Sequence, residues 1–443
     1  MIHVGREKQV RGRSTLNFSL VRLATLLTNA FFPKKKHVRA YATNRSLWFP
    51  VWILFFNVYL APATVVLAGE WSGQLGAEYR AFVYEPLFPE QHQNYFSLFA
   101  QPQYQHRWNN DRQGIAFVPF ARLAQYDEQR THADIRELSW FKAGEGYEWR
   151  AGIRKVFWGV TESQHLVDII NQTDLIENLD GEEKLGQPML NLAVIRPWGT
   201  LDLFILTGSR ERTFPGREGR LRAGLPVDTD HAVYESDRGR RRLDYAARWH
   251  KSLGSWEIGL AHFAGTAREP RLLPGIGSDG TLALIPYYDV IDQSSLDLQV
   301  TQGAWLWKLE TIRRAGQGPT YAALTAGFEY TISGVFDSGI DVGLLAEYLY
   351  DDRGTTAPTP FQNDVFAGMR WAFNDAASSE ALVGAIVDRD SNARIVSVEA
   401  SRRFGKSTKL SLEGHWFHGM SATDLLYSQR RDDYVQMELA YYF

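Results

Sequence analysis

The chain has 443 residues, with 48 Lys and Arg against 51 Asp and Glu for a formal net charge of −3, and it contains no cysteine. A mean hydropathy of −0.30 excludes a helical membrane protein, and the lack of cysteine fits an exported chain that avoids chance disulfides. The 14 Trp, 20 Tyr and 25 Phe, without a succession of long apolar runs, suit a wall in which only every second residue meets lipid.

The first element is a basic stretch followed by the one long apolar run, Leu47 to Ala68. Basic residues, an apolar core from Leu47 to Leu60, and Val66, Leu67 and Ala68 before Gly69 predict a signal peptide cut near Ala68/Gly69. A membrane anchor is the rival, because the run is long enough to span, but Pro50, Asn57 and Pro62 weaken a spanning helix. The residues ahead of the run are long for a signal n-region and show no hydrophobic periodicity, which points to an over-long start. The division predicted is an N-terminal extension plus signal peptide over 1–68 and a single domain over 69–443. Residues 1–68 carry ten basic and one acidic side chain, leaving 38 and 50 in the rest, a net of −12. An acidic domain argues against nucleic acid as a partner.

From Gly69 onward, apolar and polar residues alternate with the period of a strand. Leu75, Ala77, Tyr79 and Ala81 oppose Gly76, Glu78 and Arg80; Leu243, Tyr245, Ala247 and Trp249 oppose Asp244, Arg248 and His250. Charged residues mixed with glycine on one face of nearly every strand describe a water-filled lumen, where a sandwich would bury one apolar face and wet the other. About 18 such segments are predicted, centred from residue 77 to residue 438.

Connections alternate in length. Every second one is short, as in 109–111, 143–146, 196–199 and 301–304, and the long ones, 158–186, 208–240, 265–290 and 419–432, fall at odd positions. This parity belongs to a barrel with short turns on one side and long loops on the other. The last segment, "YVQMELAYYF", alternates up to Phe443, as a strand flanked on both sides would.

These features, with the terminal "ELAYYF", make the chain resemble the Gram-negative outer-membrane porins of 16 to 18 strands. The resemblance implies an all-β fold, a transmembrane antiparallel β-barrel whose third external loop narrows the pore. It also implies residence in the bacterial outer membrane, with lipid and lipopolysaccharide as neighbours and small hydrophilic solutes as cargo. Phe443 would then address the barrel-insertion machinery. Trimers are typical of the smaller porins and monomers of the substrate-specific 18-stranded ones, so a homo-oligomer is open.

By strand count the third external loop is 158–186, which holds Leu166, Ile169 and Ile170 at near-helical spacing. Its acids, Glu162, Asp168, Asp174, Glu177, Asp180, Glu182 and Glu183, are the candidate constriction residues. Arg122, Arg150, Arg154, Arg248, Arg314 and Arg370 fall on the inner face and are the candidate wall residues, since opposed fixed charges orient solutes in a narrow pore. The fourth external loop carries Arg210, Arg212, Arg217, Arg220 and Arg222, then "DRGRRR" at 237–242. Arginine forks suit phosphate and carboxylate, so contact with lipopolysaccharide ranks first for this loop, ahead of collecting an anionic solute.

Other motifs carry little weight. "GIGSDG" at 275–280 has the spelling of a dinucleotide loop without a flanking strand and helix. Ser163 and His165 stand near acids, but two residues apart in a loop is not a triad. No catalytic set, cofactor or metal site is expected. The function predicted is a passive or weakly selective diffusion channel. The alternatives are a selective channel for anionic solutes or acidic oligosaccharides, and a barrel enzyme of lipase or protease type.

Overall fold

A computed structural model describes residues Gly69–Phe443; the extension and signal peptide expected over 1–68 lie outside the described residues. Eighteen strands pair antiparallel in chain order, and the first, Glu70–Phe82, also pairs with the last, Tyr434–Tyr442, so the sheet closes on itself. The intervening sixteen are Asn94–Trp108, Gln113–Ala124, His132–Gly144, Tyr147–Arg154, Gln187–Arg196, Gly199–Thr207, Leu243–Leu253, Trp256–Thr266, Val290–Gln302, Trp305–Ala315, Tyr321–Val335, Ile340–Asp351, Asn363–Ala372, Glu380–Asp388, Arg394–Phe404 and Thr408–His418. Each predicted strand centre falls within one of them. Three short strands outside the barrel, Val233–Tyr234, Arg271–Ile276 and Leu282–Tyr288, form a small sheet among the long loops.

Local chemistry explains the turns. Two-residue connections at 254–255 and 303–304 hold Gly254 and Gly303 at φ of 62° and 61°, a left-handed conformation that costs glycine nothing. At the seam, Gly73 and Phe443 exchange both backbone bonds at 3.1 Å. A Cβ on Gly73 would stand 2.7 Å from the Gln101 carbonyl oxygen, so only glycine fits there.

The alternation sorts side chains inside-out relative to a soluble domain. Leu75, Leu260, Met437 and Tyr441 are outward and about half exposed, whereas Glu78, Asp244, Glu310 and Glu347 on the inner face are at most 3 % exposed. Trp305 and Trp307 stack at 5.4 Å near the short-turn end, with Tyr330 4.6 Å from Trp305. Because the first strand pairs with the last, neither is left as a free edge of the sheet.

The largest apolar cluster lies inside the barrel. Trp158, Val167, Ile169 and Ile170 of the third external loop pack against Met189, Phe204, Phe263, Ile291 and Ile312 of the inner wall. The near-helical spacing of Leu166, Ile169 and Ile170 forms no helix, because these residues are taken up one by one by pockets between inward-facing wall side chains. Burying each contributes about 1.5–3 kcal/mol, which holds an irregular segment without helical bonds.

Candidate functional site: a loop inserted across the lumen

The third external loop, residues 155–186, leaves the fifth strand and crosses the barrel interior. Its first part docks on the strands Trp305–Ala315 and Ile340–Asp351. Glu310 accepts from the backbone N–H of Val160 at 2.7 Å, of Thr161 at 3.1 Å and of Val167 at 3.1 Å, and from the Thr161 hydroxyl at 2.8 Å. Glu347 accepts from the N–H groups of Glu162 and Ser163, each at 2.8 Å, and from the Ser163 hydroxyl at 2.6 Å. Irregular backbone is tolerated inside the barrel because these carboxylates satisfy it from the wall.

Its second part is fixed on the opposite side. Arg122 Nη2 meets Glu177 at 2.7 Å and its Nη1 meets Glu78 at 3.1 Å, while Arg130 binds Glu78 at 2.6 Å and donates to the Ile176 carbonyl at 2.8 Å. Arg136 binds Asp174 at 2.6 Å, and the Thr213 hydroxyl donates to the other oxygen of Asp174 at 2.6 Å. Both Arg122 and Arg136 also lie over the Phe120 ring, at 5.8 and 4.5 Å. The loop therefore spans from the eleventh and thirteenth strands to the third and fourth.

The seven candidate loop acids fall into three groups. Asp168 pairs with Lys184 at 3.1 Å, Asp174 with Arg136 and Glu177 with Arg122; all three are buried and neutralised. Glu162 bridges to Arg370 at 2.6 Å and Lys308 at 3.7 Å. Asp180, Glu182 and Glu183 are exposed within the lumen, with Lys155 3.7 Å from Glu183. Enclosure by protein, followed by the charges of Glu182, Glu413 and Glu399, pushes Asp180 up to about 7. For His165, burial lowers the pKa, but the Glu310 carboxylate 3.8 Å away, with Asp168 behind, more than offsets this and raises it.

The candidate wall arginines also differ in situation. Arg122 is gripped between Glu78 and Glu177, Arg248 binds Asp297 at 2.9 Å, and Arg314 binds Gln293 at 2.7 Å and Glu269 at 3.1 Å. Arg150 is bonded to its neighbour Glu148, and Arg154 reaches Asn191 at 3.2 Å. Like Arg122, Arg370 contacts both a loop acid, Glu162, and a wall acid, Glu329 at 3.8 Å. Sequence reasoning missed the wall carboxylates Glu78, Glu310, Glu347 and Glu413, which sit at inward strand positions where the alternation alone could have marked them. It also missed Arg130 and Arg136.

Beside the loop an aqueous gap of about 220 Å³ is bounded by Glu183, Glu413 and Glu438, with Glu78 and Glu177 behind them, and by the single cation Arg122. The fourth external loop folds over the mouth. Arg220 is buried against Asp432 at 2.7 Å with its guanidinium 4.2 Å from the Phe82 ring; Arg222 binds Glu90 at 3.0 Å, and Arg217 binds Asp279 at 2.5 Å. Arg212 donates to Gln172 of the inserted loop at 3.2 Å. Ser163 and His165 are committed to separate wall acids, Glu347 and Glu310.

No family model matches the chain, and no curated protein matches it. Among solved structures it is similar to OccK3 (OpdO) of Pseudomonas aeruginosa, with a TM-score of 0.51 and 10 % identity over 85 % of this chain and 96 % of that one. It is similar to OccD3 (OpdP) of the same organism with a TM-score of 0.50 and 10 % identity, over 85 % and 91 % of the two chains. The likeness is one of fold: a closed barrel of this size.

Proposed function

We propose that the protein is an outer-membrane diffusion channel for small hydrophilic solutes, with a preference for cations. The observation that carries the preference is the charge beside the inserted loop: Glu183, Glu413 and Glu438 line the gap with Arg122 as its one cation, and Glu182, Glu399 and Glu413 surround Asp180. Fixed negative charge at close quarters enriches cations and repels anions, most strongly where the passage is narrow. A channel for anionic solutes has less support, since Arg220, Arg222 and Arg217 of the fourth loop are engaged by Asp432, Glu90 and Asp279. An enzyme has less support too, because the Ser163 hydroxyl donates to Glu347 while His165 stands 3.8 Å from a different carboxylate, Glu310.

Transport on this reading needs no cofactor and no covalent step. Solutes enter between the external loops, lose part of their hydration shell at the loop, and leave through the wide lower lumen down their gradient. The test is single-channel recording of purified 69–443 in planar bilayers under a potassium chloride gradient. Ohmic steps with a reversal potential of the sign for cation selectivity support the proposal. Anion selectivity overturns the preference, and silence from a heat-modifiable, folded barrel overturns the channel.

A further inference from the structure

A notch interrupts the outer half of the barrel wall. The fifth strand stops at Arg154, and the fourth pairs with it only from Leu138 to Gly144, so His132 to Glu137 have no ladder partner on that side. Arg210 spans the gap instead, binding Asp134 at 2.8 Å and the Gly186 carbonyl at 3.2 Å. Two interfaces over, between the second and third strands, the ladder pairs Ala100 with Ala121 and Tyr104 with Phe117 and lapses between them, where Pro102 and Pro119 stand opposite each other. Neither proline has an N–H to donate.

Between these two breaks lies a cavity of about 930 Å³. Its floor faces the membrane: Ala100 shares a row with the outward Leu75 and Tyr441, and Ala121 and Ala133 continue that row. Small side chains there leave a trough in an otherwise bulky apolar wall. The external end of the trough is polar. Ser209 is 7 % exposed and its hydroxyl has no hydrogen-bond partner, while the Arg240 side chain is 64 % exposed with only a 3.7 Å contact to Glu211. A largely apolar trough that ends on an unpartnered hydroxyl and a guanidinium has the chemistry of an amphiphile's binding site.

We propose that this notch binds one phosphorylated acyl lipid of the outer leaflet, with a chain along the alanine and proline floor and a phosphate at Arg240 and Ser209. The inference rests on the barrel standing in an outer membrane. Arginine forks match phosphate oxygens, and the hydroxyl supplies a further donor. A second copy of the chain is a poorer occupant, because a two-fold contact would set one concavity against another.

The experiment is native mass spectrometry of the detergent-solubilised barrel after incubation with bis-phosphorylated lipid A or with dioleoylphosphatidylcholine. One equivalent of lipid A retained, about tenfold more strongly than the zwitterionic lipid, is the expected result. Ala121→Trp, which fills the trough from the lipid side, and Arg240→Glu, which reverses the charge at its end, should each lower retention about tenfold in barrels that stay heat-modifiable. Equal retention of the two lipids, or retention unchanged in both variants, overturns the proposal. So does a dimer that Ala121→Trp dissociates, which would give the trough to a second copy. Conductance of the same preparations separates the two readings: open pores without lipid retention overturn the lipid site and leave the channel standing.

Discussion

Arg122 on the third strand and Glu177 on the inserted loop meet at 2.7 Å with side chains 5 % and 7 % exposed, and Glu78 lies 3.1 Å from the same guanidinium. Removing one partner of such a buried pair leaves an uncompensated charge, at a cost of about 3–5 kcal/mol. Arg122→Ala is expected to free this end of the loop, giving larger and noisier single-channel steps. Glu177→Ala should act in the same direction, and steps of wild-type size in both would show that the loop does not narrow the pore.

The other anchor is Glu310, whose carboxylate collects four loop donors within 3.1 Å. Each orphaned buried donor costs about 1–3 kcal/mol, so Glu310→Ala should detach the tip of the loop. Limited proteolysis checks this. New cleavage within 159–170 is expected in the variant, and equal resistance in both proteins would contradict it.

Asp180 titrates near neutrality. With its pKa pushed up to about 7, it is mostly protonated and neutral at pH 6 and mostly charged at pH 8. Cation preference should therefore rise over that interval, and Asp180→Asn should flatten the dependence. A reversal potential independent of pH in the wild type, or a dependence that survives in the variant, would locate the titrating group elsewhere.

Gly186 joins the loop to the sixth strand with no space for a side chain. A Cβ there would lie 2.5 Å from Ile153 Cγ2 and 2.6 Å from the Arg136 carbonyl oxygen. Forcing such overlap costs about 1–3 kcal/mol, so Gly186→Val should lower the temperature at which the barrel loses its compact electrophoretic migration. Unchanged heat-modifiability would mean that the junction yields.

The barrel was legible because a strand's two faces meet two solvents, and Leu75, Tyr79 and Tyr441 against Glu78 and Arg80 record that difference residue by residue. Loop parity then told which ends are short. The site was less legible. Asp168, Asp174 and Asp180 look alike in sequence as loop acids, yet Asp174 is fully buried against Arg136 while Asp180 is exposed, because pairing depends on what the wall offers across the lumen. The same holds for the fourth-loop arginines: their spacing suggests a basic surface, and only contact with distant Asp432 and Glu90 shows that two of them are structural.

The inserted loop also carries a consequence for assembly. Val160 binds Glu310, Ser163 binds Glu347 and Asn178 reaches Glu413 at 3.3 Å, separations of 150, 184 and 235 residues along the chain. Long-range closures of this kind pay their entropy before any contact rewards it. The segment emerges from the ribosome well before the strands that restrain it, so its full set of restraints exists only in the finished circle.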